Sequence, residues 1–187
     1  SEFGAEYDSL SDMVSFGAAP ALVIYEWALK GMGKWGWTAA FIYCVCAALR
    51  LARFNTNIEV VDKRFFQGLP SPAAAALIAG LVWVMLDFGI EGTDIRWLAW
   101  GITLFAGLTM VSNIPYYSGK SINLRKSVPF ITVLLLALFF FVLIPSQPPV
   151  VLFCLFFVYA MSGYALWIWR RLKKKRTVDV QQTGDYS

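Results

Sequence analysis

The sequence predicts an all-α protein, a polytopic bundle of about six transmembrane helices. Of its 187 residues, 58% are hydrophobic and 15% are charged, whereas ordinary soluble domains have about 45–50% and about 25%. Six apolar stretches also approach the roughly 20 residues that a helix needs to cross a bilayer. Polar or Gly- and Pro-containing connections separate these stretches, as expected between spans.

The expected spans follow one another along the chain. They cover approximately residues 8–29, 36–54, 72–88, 97–114, 128–144 and 149–169. Pro72, Pro129 and Pro149 stand at first helical turns, where no amide hydrogen bond is lost. Pro20 instead lies inside the first span, where it must kink the helix or rely on neighbouring groups to satisfy the backbone.

The distribution of cations predicts the orientation of the bundle, because Lys and Arg concentrate in the short cytoplasmic loops of membrane proteins. Of the 16 Lys and Arg residues, only Lys30, Lys34 and Arg96 fall on the side opposite the N-terminus. We therefore expect both ends of the chain inside, in a bacterial-type inner membrane. A transmembrane domain over residues 1–170 would be followed by a basic, disordered cytoplasmic tail over residues 171–187.

Composition excludes several chemistries. The chain has no histidine, so it lacks both imidazole metal ligands and a histidine-activated nucleophile. Cys44, Cys46 and Cys154 lie within apolar runs, where a thiol behaves as a small hydrophobe. Acid and base chemistry must therefore come from carboxylates.

Gly4, Asp8 and Asp12 are spaced by four residues, which places them on one face of a helix. Two carboxylates at this spacing repel each other, and the second lies close to hydrocarbon, so a cation is expected to neutralise them. The alternative is that both acids remain solvated and complement the positive end of the helix dipole. Clustered carboxylates favour a hard ion such as Mg²⁺ or Mn²⁺.

The spacing G-x3-D-x3-D resembles the second half of the CDP-alcohol phosphatidyltransferase signature, D-x2-D-G-x2-A-R-x8-G-x3-D-x3-D. Gly4, Asp8 and Asp12 match its later glycine and its third and fourth aspartates, and the first half would lie upstream of Ser1. Further stretches resemble the phosphatidylserine synthase branch of this family: residues 8–17 (DSLSDMVSFG), 49–55 (LRLARFN) and 66–72 (FQGLPSP).

The resemblance implies transfer of a phosphatidyl group from CDP-diacylglycerol to L-serine, with release of CMP, as a step of phospholipid biosynthesis. It also implies divalent cations, Mg²⁺ or Mn²⁺, with Asp8 as a metal ligand. Asp12 would lie at the metal site and remove the proton from the attacking hydroxyl, and Gly4 would lie beside the substrate. The family's tendency suggests a homodimer among membrane lipids, and we expect no nucleic-acid partner.

Arg50, Arg53 and Asn55 end the second span on the cytoplasmic side, close to the acids if the first two helices pack antiparallel. Guanidinium groups suit bidentate binding of a phosphate or a serine carboxylate. The alternative is that both arginines only anchor the helix by extending to the headgroups. Lys120 could likewise bind a lipid phosphate or belong to a solvated loop.

Other functions remain open at this point. A sibling transferase would use glycerol 3-phosphate or inositol phosphate as the acceptor with the same metal chemistry. A small transporter or channel could also place acids and arginines near a bundle interface, and a non-catalytic membrane scaffold would fit the missing half of the motif. Because that half supplies two of the four aspartates, we expect the 187-residue chain by itself to be inactive.

Overall fold

The first helical segment of the protein is interrupted twice by π-helical turns. The computed structural model describes residues 2–56, 65–117 and 147–184. Helix α1 (Glu2–Asp12) continues into a first π-helical segment (Met13–Ala18), then into α2 (Ala19–Ile24) and a second π-helical segment (Tyr25–Leu29). A short 3₁₀ turn (Lys30–Met32) ends it, and Gly33 reverses the chain with a positive φ of 57°.

Four more helices and one pair of short strands complete the described part of the chain. The helices are α3 (Lys34–Thr56), α4 (Ser71–Asp87), α5 (Arg96–Val111) and α6 (Pro148–Gly184). The strands β1 (Phe65–Gln67) and β2 (Pro115–Tyr117) pair antiparallel, with Phe66 opposite Tyr116. The sequence did not predict this pair.

Five of the six expected spans are therefore helical, and the remaining stretch, residues 128–144, lies outside the described residues. Helix α3 and the Pro148–Trp169 part of α6 are long and apolar enough to cross a bilayer. Helices α4 and α5 are apolar but shorter. The protein is thus helical and contains bilayer-length helices, as predicted.

The end of the chain differs from the expected disordered tail, because α6 continues to Gly184. Arg and Lys occupy six of the seven positions 170–176, and both are good helix formers. A helix already begun in the apolar span can therefore extend through residues 171–184, since each further residue adds one hydrogen bond without a new nucleation step.

Small residues let the backbones of the first segment and of α5 approach α3 closely. A Cβ added at Gly17 would lie 3.1 Å from the Cβ of Ala47, and one added at Gly107 would lie 3.1 Å from the Cα of Tyr43. Close approach of this kind is how helices associate within a bilayer, where apolar burial gives no driving force. The first segment and α5 therefore both pack closely against α3.

Tyr43 also replaces a backbone hydrogen bond that Pro20 cannot make. Pro20 has no N–H, so the carbonyl of Phe16 lacks the donor that a regular α-helix would supply. The Tyr43 hydroxyl donates to this Phe16 carbonyl oxygen at 2.9 Å, and the Tyr43 side chain is fully buried. The sequence expectation that neighbouring groups would tolerate Pro20 is thus realised by one side chain of α3.

We expect Tyr43→Phe to destabilise the fold by about 1–3 kcal/mol, because it leaves the Phe16 carbonyl without the tyrosine donor. The cost should shrink in a Pro20→Ala background, where the new amide at position 20 can donate instead. Heating in detergent, followed by measurement of the folded fraction, would test both. Tyr7→Phe, at an exposed position, is the control. Equal costs in both backgrounds would contradict this account.

Candidate active site

The two carboxylates occupy the last turns of α1. Asp8 is exposed and Asp12, the final residue of the helix, is half-buried. Because α1 is regular up to Asp12, Gly4, Asp8 and Asp12 lie on one face as their spacing predicted. Asp12 lies near enough to Arg50 to interact with its guanidinium group electrostatically. A cation of the protein therefore accompanies the carboxylate nearer the core.

The first segment and α3 pack antiparallel, which brings the two motifs to the same end of the bundle. The contacts progress in opposite directions along the two helices, from Phe16 with Tyr43 to Ser9 with Asn55. The Asn55 side-chain amide donates to the Ser9 hydroxyl at 3.1 Å. Asn55 therefore ties the end of α3 to α1 at Ser9, the residue directly after Asp8.

Arg50 lies where four helices meet. Its Nη1 donates to the hydroxyl of Ser71, the first residue of α4, at 2.9 Å. Its electrostatic neighbours are Asp12 of α1 and Tyr159 of α6. Its Nε atom is buried and has no hydrogen-bond acceptor among the described residues. A buried donor on a cation is costly to leave unpaired, so this nitrogen is suited to an anion bound at the site.

Arg53, one turn later, has different surroundings. Its Nη1 donates to the backbone oxygen of Val111 at 3.3 Å, and its Nη2 donates to Asn113 Oδ1 at 2.5 Å. Nη2 also donates to the side-chain oxygen of Gln67. The fork of Arg53 thus joins α3 to the end of α5 and to β1, in a way that a single ammonium could not reproduce.

The chain beside Gln67 is held tightly against the end of α5. The Gly68 amide donates to the Ile114 oxygen at 2.9 Å, and the Leu69 amide donates to the Thr109 oxygen at 3.1 Å. Gly68 has a φ of +80°, and a Cβ there would lie 2.2 Å from the Met110 oxygen. Only glycine fits this position, which explains the glycine of the Gln-Gly-Leu-Pro-Ser-Pro stretch.

Helix α6 is fastened to the same end of the bundle through tyrosines. The hydroxyl of Tyr116 donates to the Ala160 oxygen at 2.7 Å, and the hydroxyls of Thr109 and Tyr164 are 2.7 Å apart. Burial raises the pKa of the Tyr116 hydroxyl, so it stays protonated as a donor. The rings of Tyr116 and Tyr159 lie 5.5 Å apart, which places Tyr159 against this anchored corner.

In the structure Asp12 lies within electrostatic range of Arg50, and Asn55 donates to Ser9, the residue after Asp8. Arg53 makes internal hydrogen bonds. Lys120 lies outside the described residues. Sequence reasoning missed Ser71 and Tyr159. Ser71 stood within the quoted stretch of residues 66–72 and could have been found there, whereas Tyr159 lies in an apolar span and carried no signal.

The donor chemistry of the acidic face fits a hard divalent cation. Asp8 and Asp12 offer only carboxylate oxygens, which Mg²⁺ and Mn²⁺ prefer. In the described ranges, 2–56, 65–117 and 147–184, no group of three or more His, Cys, Asp or Glu side chains lies close enough to hold a metal ion.

Comparison with known proteins identifies relatives for most of the chain. The sequence profile described as CDP-alcohol phosphatidyltransferase matches residues 1–108, more than half of the 187. A CDP-diacylglycerol–serine O-phosphatidyltransferase of Helicobacter pylori strain J99 is 34% identical over 176 residues, which cover 92% of this chain and 71% of the relative.

Two further organisms contain similar proteins of the same name. The relative from Mycobacterium leprae is 34% identical over 144 residues, covering 74% of this chain and 48% of the relative. The relative from Methanocaldococcus jannaschii is 38% identical over 116 residues, covering 62% of this chain and 50% of the relative. The chain thus spans about half the length of these two relatives.

We expect Arg53→Lys to lower thermal stability, because an ammonium cannot bond Val111, Asn113 and Gln67 together. The loss should be about 1.5–3 kcal/mol per charge-assisted hydrogen bond removed. The folded fraction after heating in detergent would measure it. Arg96→Lys, at the exposed start of α5, is the control and should leave stability unchanged. If Arg53→Lys is equally harmless, these hydrogen bonds do not stabilise the corner.

Proposed function

We propose that this chain, which belongs to the CDP-alcohol phosphatidyltransferase family, carries the transfer of a phosphatidyl group from CDP-diacylglycerol to L-serine. The products are phosphatidylserine and CMP. The observation that carries the proposal is the similarity to serine transferases over nearly the whole chain. It is supported by the position of Asp12 within electrostatic range of Arg50. The protein is a membrane-embedded enzyme of lipid synthesis.

The reaction exchanges one phosphoester oxygen for another. The hydroxyl oxygen of serine forms a bond to the phosphorus that carries diacylglycerol, and the bond from that phosphorus to the CMP oxygen breaks. The proton of the hydroxyl must leave as the new bond forms, while CMP departs with the electron pair and the negative charge. A site for this chemistry needs a base beside the acceptor and positive charge beside the phosphates.

Asp12 is the proposed base. It is half-buried at the end of α1 and is one turn from Asp8. Asp8 and Asp12 would together hold a Mg²⁺ or Mn²⁺ ion. When bound, such an ion neutralises charge on the phosphoryl oxygens. Gly4, one turn before Asp8, has no side chain and leaves room for a substrate next to the acidic face.

Arg50 and Arg53 take different roles in this proposal. Arg50 has a buried nitrogen without an acceptor among the described residues, so it would bind an anionic group of the substrates. Arg53 and Asn55 would act on the substrates by positioning, because Arg53 holds α5 and β1 and Asn55 holds α1. Lys120, at the cytoplasmic end of the fourth expected span, would contribute a further cation for lipid phosphate.

The membrane arrangement that suits this chemistry has six spans, with both chain ends and the site facing the cytoplasm of a bacterial-type inner membrane. CDP-diacylglycerol is a lipid and serine is soluble, so they must meet at the interface. The antiparallel packing of the first segment on α3 supports this arrangement, because it gathers the acids and arginines at one end. The catalytic unit is proposed to be a homodimer surrounded by lipid.

The competing functions have less support. A transferase for glycerol 3-phosphate or inositol phosphate would share the metal chemistry, but the relatives described above are named for serine. Against a transporter or a scaffold, the same relatives are enzymes by name, and the acids and arginines gather at a helix end.

We expect the full-length protein in detergent to release CMP from CDP-diacylglycerol with L-serine and Mn²⁺ or Mg²⁺. Asp12→Asn should reduce the rate by about 10²–10⁴-fold, the usual contribution of a positioned base. Asp8→Asn should also reduce it, and a higher cation concentration should restore part of that loss. Asp87→Asn, at the far end of α4, is the matched control.

CMP release with glycerol 3-phosphate or inositol phosphate instead of serine would support the family assignment but show that the acceptor is not serine. No release with any acceptor would contradict the proposal. An Asp12→Asn variant with full activity would remove Asp12 from the role of base.

Orientation has an independent test that uses two exposed threonines at opposite ends of the bundle, Thr56 and Thr93. In a chain with its three cysteines replaced by alanine, we expect Thr93→Cys to react with an impermeant maleimide in intact spheroplasts. Thr56→Cys should react only after the membrane is permeabilised. The reverse pattern would place the site outside the cell and refute the proposed orientation.

A further inference from the structure

The last helix leaves the bundle at the end that holds the candidate active site. A Cβ added at Gly80, in the middle of α4, would lie 3.4 Å from Phe153 of α6. Seven residues further along α6, the Ala160 oxygen accepts the hydrogen bond of the Tyr116 hydroxyl at 2.7 Å. Tyr116 belongs to β2, whose partner strand β1 is bonded to Arg53 near the end of α3. The chain of α6 therefore runs toward the site end of the bundle.

The helix does not stop where its bilayer-length part ends. The Pro148–Trp169 part is long and apolar enough to cross a bilayer, and α6 continues from there to Gly184. The Tyr164 hydroxyl lies 2.7 Å from the hydroxyl of Thr109, near the end of α5. Arg170 follows six residues later, which is about 9 Å along a helix. The extension therefore begins just beyond both the apolar part and the corner that adjoins the site.

The start of this extension is densely basic. Six of the seven positions 170–176, called here the basic segment, are Arg or Lys, and the next acidic residue is Asp179. Seven residues of helix cover roughly 10 Å, whereas charges in physiological salt are screened over about 8 Å. All six cations therefore lie within about one screening length of the end of the apolar part.

The arrangement of these positions indicates which partner fits them. Successive residues of a helix are rotated by roughly 100°, so the six basic positions are distributed on all sides of the helix axis. A helix that docks in a protein groove needs an apolar stripe on one side, but Leu172 is the one apolar residue of the segment. Clusters of four to eight Lys and Arg directly after a spanning helix attract anionic lipid. The headgroups that surround the helix are the partner that this pattern fits.

From the direction of α6 and the charge of its extension, we propose that the basic segment binds anionic lipid headgroups beside the candidate active site. Resting on the proposed function, this binding also concentrates the lipid substrate there, because CDP-diacylglycerol carries two phosphate groups and is itself an anionic lipid. The segment acts by electrostatic attraction and touches no reacting atom. It raises the local supply of lipid substrate and leaves the chemical step unchanged.

The first test measures which lipids the full-length protein retains. The protein is reconstituted in vesicles of equal phosphatidylcholine and phosphatidylglycerol and then extracted in mild detergent. The variant carries Lys173→Gln, Lys174→Gln and Lys175→Gln together, because Gln is also a good helix former and the three arginines of the segment remain. The charge-conserving control replaces the same lysines by Arg, and Gln181→Ala, further along α6, is the neutral control.

We expect the wild-type protein and both controls to retain phosphatidylglycerol in preference to phosphatidylcholine. The triple glutamine variant should lose about fivefold or more of this preference, because about fivefold is the effect of a single cation near an anionic surface. At about 1 M salt, where the screening length is about 3 Å, the wild-type preference should disappear. Equal retention by the glutamine variant, or a loss in the arginine control, would show that the charge of the segment does not bind headgroups and would overturn the proposal.

A kinetic measurement keeps this inference distinct from the proposed function. In phosphatidylcholine vesicles, the triple glutamine variant should raise the KM for CDP-diacylglycerol, expressed as its mole fraction, and leave kcat and the KM for L-serine unchanged. A fall in kcat at an unchanged KM for CDP-diacylglycerol would reject the role in substrate supply. Charge-dependent lipid retention without any CMP release would retain the headgroup surface and reject the transferase. CMP release with unaltered retention and an unaltered KM in the variant would retain the transferase and reject the surface.

Discussion

The close antiparallel packing of the first helical segment against α3 is the constraint on which the site depends. Gly17 lets that segment approach Ala47, and the Tyr43 hydroxyl satisfies the Phe16 carbonyl left without a donor by Pro20. These contacts set both the distance and the register between the two helices. Asp12 and Arg50 come together because this register aligns the acidic end of one helix with the basic end of the other. The chemistry is therefore a consequence of backbone packing in the middle of the bundle.

The two arginines of α3 lie one helical turn apart but differ in role: Arg50 is proposed to bind an anion, and Arg53 stabilises the fold. Arg53 is bonded to Val111, Asn113 and Gln67, so its fork stabilises the junction of α5 with the strand pair. Arg50 keeps a buried nitrogen without an acceptor among the described residues. Leaving a buried donor unpaired costs free energy, and such a cost is tolerated at sites where a ligand recovers it. If every nitrogen of Arg50 were hydrogen-bonded within the protein, the fold would be more stable but Arg50 could not bind an anion.

Local features of the sequence were sufficient to predict α3, α4, α5 and the start of α6, because hydropathy and proline position act over a single helix. They also predicted that the carboxylates share a face and that α3 ends near them if the first two helices pack antiparallel. The strand pair, the internal bonds of Arg53 and the approach of Tyr159 to Arg50 all depend on residues more than ten positions apart, and no spacing rule reports them. The extension of α6 to Gly184 was missed because a polar composition was taken to mean disorder.

The two π-helical segments have a consequence for how the first helix changes face along its length. Each π-helical turn accommodates one residue more than an α-helical turn, so the side chains beyond it are rotated by roughly 100° relative to a continuous α-helix. After Ala18, the sequence positions that share the azimuth of Asp8 and Asp12 therefore differ from those of a continuous α-helix. A helical wheel drawn across the whole segment would assign the wrong residues to lipid and to the bundle. The first segment therefore has two α-helical parts whose faces are rotated relative to each other. The face of α1 carries the polar chemistry, and the face of α2 packs in the bundle.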